Sequence, residues 1–167
     1  VNNNYILKLA DKLTRYIYNK SEVILVQSEA FVNYIVNQGV SINKIKYFPN
    51  PTENFYKVVK TNEEYSNLLP KGFNLIFAGN IGEAQSFDTL IDAALKLKQL
   101  NYPIYWNILG DGRAKNNLEK KIVKLNLTDN FIFKGSFKSE EMPLFFACAD
   151  ALIVSLKKSK IFSLTIW

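Results

Sequence analysis

Residues 73–97 read FNLIFAGNIGEAQSFDTLIDAALKL, and this stretch decides the fold. Six apolar-rich residues, Phe73 to Ala78, form a buried strand and meet a turn built on Gly79 and Gly82. A helix opens at Ser86, a residue of the N-capping type, and Phe87, Leu90, Ile91, Ala94 and Leu97 share its inner face. Strand, glycine turn and helix start together make the shape of many phosphate sites. The dinucleotide fingerprint G-x-G-x-x-G is absent, because the turn reads GNIGEAQ. Asp111 also lies far beyond the roughly twenty residues expected for a ribose-binding acid. No G-x-x-x-x-G-K-[ST] occurs, so the turn is not a P-loop either.

The same grammar repeats outward. IYWNILGDG leads to a helix through NNLEKKIVKLNL, FIFKGSF leads to a short helix SEEMPLFFACA, and ALIVSL is the next strand. Continuous apolar strands alternating with amphipathic helices predict an α/β fold with Rossmann-like parallel sheets covered on both faces. Upstream, residues 4–19 form an amphipathic helix, with Ile6, Leu9, Ala10, Leu13 and Ile17 on one face and Lys8, Lys12 and Arg15 on the other. That cationic stripe fits a solvated face or a membrane surface. SEVILVQS is a strand, Ser28 caps the helix EAFVNYIVNQG, Gly39 ends it, and KIKYFPNP is a further strand.

From Thr52 to Lys71 periodicity fades and polar residues gather, which reads as a linker. The expected organisation is the tail of one Rossmann-like domain over 1–52, a linker over 53–71 and an incomplete second domain over 72–167. Both ends look uncapped, and the apolar run IFSLTIW stops without a closing turn. The reading is a fragment, truncated at both ends.

Composition narrows the chemistry. At 48% hydrophobic and 14% aromatic, 167 residues bury a substantial core. With no histidine and one cysteine, the chain holds no intramolecular disulfide, Cys/His zinc site, Ser-His-Asp triad or Cys-His nucleophile. Chemistry must come from carboxylates, lysines, hydroxyls, backbone groups or the substrate, and no catalytic residue stands out. Cys148 reads as a buried small hydrophobe. The net charge is +6, with eight basic against four acidic residues over 1–60 and thirteen against eleven over 61–167. With two arginines and no basic run, nucleic-acid binding is disfavoured, and the surface suits an anionic ligand or an anionic membrane face. No segment is long and apolar enough to span a bilayer, and the start lacks a signal peptide, so a soluble, cytoplasmic protein is expected, with peripheral membrane contact left open.

In open parallel sheets ligands bind beyond the carboxyl ends of the strands. Four turns collect there: AGNIGEAQS, LGDGR, KGSFK and whatever follows SLKKSK. Gly79 and Gly82 let the backbone approach a ligand and aim amides at it, while Asn80 and Gln85 are neutral donors on the same loop. Asp88, already in the first helical turn, offsets part of the dipole and opposes a strong anion site. Asp111 is a candidate helix cap, and the turn after Gly135 can face a flat polar ring. Each of these turns also has a plain structural reading.

Taken in order, VILVQSEAF, KIKYFPNP, FAGNIGEAQSFDTLIDAA, WNILGDGRAKNNLEKKI and FIFKGSFKSEEMPLFFACADALIVSL resemble successive blocks of the family 4 glycosyltransferases of two-Rossmann-domain (GT-B) architecture. The likeness runs from about Leu13 onward, and its flavour is that of bacterial enzymes building O-antigen or capsule sugars. It implies retaining transfer from a nucleotide-diphosphate sugar, UDP-linked, with no metal and no separate cofactor, to a lipid-linked or saccharide acceptor. It places the donor on Gly79, Asn80, Ile81, Gly82, Gln85, Gly110, Ser136 and Phe137, with the base at Ser136 and Phe137. The family pattern G-R-x-x-x-x-K-G carries two cations where this chain has Asn80 and Gln85, and a glycine where it has Ser86. The acidic E-x7-E element expected beyond SLKKSK is not in the sequence, so the polypeptide alone is expected to be inactive. Two other classes stay open: a non-catalytic nucleotide-binding or regulatory module, and an oxidoreductase on a similar sheet, which the missing fingerprint disfavours.

Overall fold

A computed structural model describes residues 3–100, 103–159 and 162–164, so most of the uncapped run 161–167 lies outside the described residues. Two compact units make up the chain. The first holds residues up to Pro51 together with the described residues from Lys158 onward, and the second holds Thr52–Lys157.

In the first unit, α1 (Asn3–Lys20) precedes β1 (Ile24–Val26), α2 (Ala30–Val36) and β2 (Ile45–Tyr47). The two strands pair in parallel with Ile24 opposite Ile45. Val26, Ile35, Val40 and Ile45 form the core, and Tyr18 of α1 packs on it. The apolar face read from α1 is uncovered: Ile6 is 63% exposed and Leu13 58%. Ser28 is buried and its Oγ accepts the Ala30 N–H at 3.3 Å, a local bond at the start of α2.

The second unit contains α3 (Glu63–Ser66), β3 (Phe73–Ala78), α4 (Phe87–Lys98), β4 (Ile104–Leu109), α5 (Lys115–Lys124), β5 (Phe131–Gly135), α6 (Met142–Ala147) and β6 (Ala151–Leu152). Its sheet is parallel, in the order β5-β4-β3-β6. Side chains alternate between faces along each strand. Phe77, Trp106, Ile108 and Phe131 pack under α4 and α5 with Phe87, Ile91, Leu118 and Ile122, and Trp106 stacks on Phe131 at 5.5 Å. On the opposite face Ile76 and Leu109 meet Met142 and Phe145 of α6.

Three expectations change. The segment 53–71, read as a linker, is held by aromatic packing on the second unit. Tyr65 of α3 meets Phe145 edge-on at 4.9 Å, Leu69 packs beside it, and Tyr56 faces Phe146. The last strand is two residues long instead of spanning ALIVSL. After the Ile153 N–H bonds Ile76 O, the chain leaves the ladder: Ser155 Oγ donates to Gln85 O and the Lys157 N–H to Ala84 O at 2.7 Å. Cys148 is partly exposed, its thiol 3.6 Å from Asn62 O.

Two buried polar residues escaped the sequence reading. Asn74 of β3 donates through Nδ2 to Pro70 O and Gly72 O, and its Oδ1 accepts from Asn107 Nδ2 at 3.0 Å. The Asn74 N–H also bonds Asp150 Oδ2 at 2.7 Å, so one residue at the start of β3 links it to the middle of β4 and to the entry of β6.

Candidate functional site

All strands of the order β5-β4-β3-β6 run parallel, so the turns after β3, β4 and β5 gather at one edge of the sheet, where open parallel sheets bind ligands. The glycine turns after β3 and β4 close against one another there. The Gly79 N–H bonds Leu109 O at 2.9 Å, the Ile81 N–H bonds Asp111 O at 2.8 Å, and the Gly110 N–H bonds Gly135 O at 2.7 Å. Parallel pairing thus continues past the strand ends. Only glycine fits at 110: a Cβ there would sit 2.0 Å from Gly79 O, and φ is +131°. At the third tip a β-bulge sets Leu109 opposite Gly135, with Ile108 opposite Phe133, so Lys134 is the extra residue and Gly135 takes φ +77°.

These tips frame a cavity of about 380 Å³, within the range of small-molecule sites. Its polar lining comes from Gly79, Asn80, Gly110, Asp111, Ser136 and Ser139. Its apolar lining includes Tyr56, Phe137, Met142 and Phe146. Of the residues expected to bind a donor, Gly79, Asn80, Gly110, Ser136 and Phe137 come together on this wall.

Ile81, Gly82 and Gln85 do not. Ile81 is fully buried in the core under α4. Gly82 lines a second cavity with Glu83, Asp88, Arg113, Lys121 and Lys157. Gln85 has its Oε1 buried and without a hydrogen-bond partner, while its backbone carbonyl takes the Ser155 hydroxyl. The amides of Gly79 and Gly82 are not offered to a ligand either, since Gly82 N–H bonds Asn80 O at 3.0 Å and Gly79 N–H bonds Leu109 O. Among the described residues, the backbone N–H groups of Asn80, Ser136 and Phe137 carry no such internal bond.

Ser86 is not a conventional cap. It sits in the left-handed region (φ 49°, ψ 45°), makes no capping bond, and pairs through Oγ with Thr89 Oγ1 at 3.0 Å. Asp111 likewise does not cap α5. Its Oδ1 accepts the N–H of Gly112 at 2.7 Å, and its other oxygen lies 3.8 Å from Lys115 Nζ.

No residue on the cavity wall is basic, and Asp111 is acidic. Two lysines of the second unit have other partners. Lys121 Nζ bonds Asp88 Oδ1 at 2.6 Å, and that hydrogen bond holds the ammonium above its ordinary pKa. Lys134 Nζ donates to Leu68 O, and desolvation by burial lowers its pKa. Glu141 is engaged by the Tyr65 hydroxyl at 3.0 Å and the Lys138 N–H at 2.9 Å, and Tyr65 has its pKa raised, by desolvation first and by Glu141 second. The site is therefore built to recognise shape and hydrogen-bonding groups more than charge. Tyr56, Ser139, Met142 and Phe146 were missed as wall residues. The signal for Ser139, Met142 and Phe146 was their place just after the third turn, whereas Tyr56 is distant in sequence and carried none.

Among the described residues no helix is long and apolar enough to cross a membrane. Comparison with known proteins adds independent information. The chain is 30% identical over 130 residues to an uncharacterised glycosyltransferase of Methanocaldococcus jannaschii, a match covering 75% of this chain and 32% of that protein. It is 28% identical over 137 residues to the Escherichia coli K12 protein WcaI, named for colanic acid biosynthesis, covering 78% and 33% respectively. The chain thus spans about a third of these relatives' length. Among solved structures, Anabaena Alr3699/HepE in complex with UDP-glucose superimposes with a TM-score of 0.69 at 16% identity, over 93% of this chain and 45% of that one. Sucrose-phosphate synthase of Thermosynechococcus elongatus gives 0.72 at 15% identity, over 92% and 40%. These likenesses establish a shared GT-B fold. The family model for glycosyl transferases group 1 matches residues 59–166, and the chain belongs to that family.

Proposed function

We propose that the second unit binds a nucleotide-diphosphate sugar, UDP-linked, for a transferase of surface polysaccharide biosynthesis. The observation that carries this reading is the cavity at the tips of β3, β4 and β5, which brings polar groups and aromatic rings onto one wall. A diphosphate suits the hydroxyls of Ser136 and Ser139, the Asn80 amide and the free N–H groups of Asn80 and Ser136, because neutral donors hold phosphate without a cation. A base suits the rings of Phe137, Phe146 and Tyr56 on the wall.

The transfer is read as retaining and independent of a metal or further cofactor, with a saccharide or lipid-linked acceptor. UDP and glucose occupy the similar Anabaena structure, and another similar structure is a lipopolysaccharide outer core galactosyltransferase. The larger enzyme works in the cytoplasm against the inner membrane face, toward which α1 offers Lys8, Lys12 and Arg15 beside its exposed apolar residues. The 167 residues by themselves bind donor without turning it over, since they cover about a third of the relatives and positioned charge stabilisation around a leaving diphosphate needs a complete cleft.

Titration calorimetry with UDP and with NAD tests the reading. UDP binds, NAD does not, and incubation with UDP-sugars and a lipid-linked acceptor yields no product. Absent UDP binding, or NAD binding the tighter of the two, overturns the site assignment. Turnover at ordinary enzyme rates overturns the inactivity.

A further inference from the structure

One aromatic side chain on the cavity wall comes from none of the glycine turns. Tyr56 lies in the irregular segment before α3, where its N–H bonds Glu53 O at 3.0 Å. Its ring lies 6.3 Å from that of Phe146 and 17° from parallel, and 4.7 Å from Phe55. Of the three aromatic rings on the wall it alone is exposed, at 41%. Phe137 is committed elsewhere, edge-on to the buried Phe145 at 4.6 Å. The Tyr56 hydroxyl makes no hydrogen bond among the described residues. Tyr56 is therefore a half-open aromatic ring that lines the cavity.

Tyr56 and Phe146 also line another cavity of about 460 Å³, with Lys57, Val58, Val59, Pro143 and Ala147. A ring shared by two cavities offers a planar group a surface to rest on. Resting on the nucleotide reading above, we propose that Tyr56 stacks on the base of the bound nucleoside diphosphate and fixes its position in the cavity. Stacking on an aromatic side chain tolerates any base, so Tyr56 supplies affinity, while polar groups near Ser136 supply the choice of base.

Calorimetry on the 167-residue chain with UDP and, by competition, inorganic pyrophosphate tests this, with thermal unfolding recorded in parallel. Tyr56→Ala weakens UDP binding about tenfold and leaves pyrophosphate unchanged, whereas Tyr56→Phe stays within about twofold of the parent for both. Should the alanine variant fail to fold, Tyr56→Leu keeps an apolar side chain against Phe146 and shows the same selective loss. Unchanged UDP affinity in the alanine or leucine variant overturns the inference and leaves the cavity reading intact. Equal losses for UDP and pyrophosphate also overturn it, since they mean that Tyr56 only props the wall. A parent chain that binds no UDP overturns both readings.

Discussion

At the scale of single residues, Ser86 carries the clearest strain. A non-glycine residue with φ 49° and ψ 45° at the start of α4 bears a steric penalty between its Cβ and the backbone. The hydroxyl returns little, because it bonds another side chain and leaves the first-turn N–H groups uncapped. Ser86→Gly is expected to raise stability by about 0.5 to 1 kcal/mol, read from the urea midpoint, after allowing for the extra freedom of glycine in the unfolded chain. An unchanged or lowered midpoint contradicts that account. The sequence carried a hint here, since the resemblance pattern has glycine at this place. Local capping rules favoured serine instead, and they are blind to the handedness of the turn before it. The place of Asn80 on the cavity wall was legible for the opposite reason: its turn is fixed by two glycines whose spacing shows in the chain. Ile81 and Gln85 lie on the same turn, but burial decides where they point, and burial is not a local property.

At the scale of elements, strands and helices with strong periodicity lay where the pattern put them. β3, β4, β5, α4 and α5 each carry an unbroken apolar face. β6 did not follow its apolar run, because Ser155 and Lys157 find partners on the 84–85 turn and peel the chain from β3. The 53–71 segment hid its packing because a few aromatics, Tyr56 and Tyr65, anchor it among polar residues without any repeat. Asn74 is the strongest polar link between elements. Its side chain satisfies two carbonyls of the preceding turn and the Asn107 amide, in a place 6% exposed. Asn74→Ala leaves those groups unpaired and is expected to cost the second unit about 2 kcal/mol in chemical denaturation. UDP affinity stays the same, because the substitution lies at the opposite ends of the strands from the cavity. A loss of binding in a still-folded variant would break that separation.

At the scale of the whole molecule, the absence of histidine sets the response to pH. No side chain here has an ordinary pKa near neutrality, so unfolding free energy is expected to be flat between about pH 6 and about pH 8. On the alkaline side Lys121 matters. Its folded-state pKa is raised, chiefly by the Asp88 hydrogen bond, so its contribution is fully present below the unfolded value and fades as pH climbs through the folded one. Denaturation series from neutral to strongly alkaline pH should show that decline, and Lys121→Met should blunt it. A decline already visible between about pH 6 and about pH 8 would contradict this account. Fold class was readable at this scale because an α/β alternation constrains topology so tightly. The cavity was half readable: strand order puts three turns side by side, but which atoms face inward depends on hydrogen bonds between turns.

Those bonds have one more effect. With Gly79, Ile81 and Gly110 already joined to Leu109, Asp111 and Gly135, the floor of the hollow is set before any guest arrives. Little backbone entropy remains to be surrendered on association, and little backbone is left to fold over the visitor. Adaptation falls to side chains at the mouth, and a cradle set in advance favours affinity because little ordering cost is taken from it.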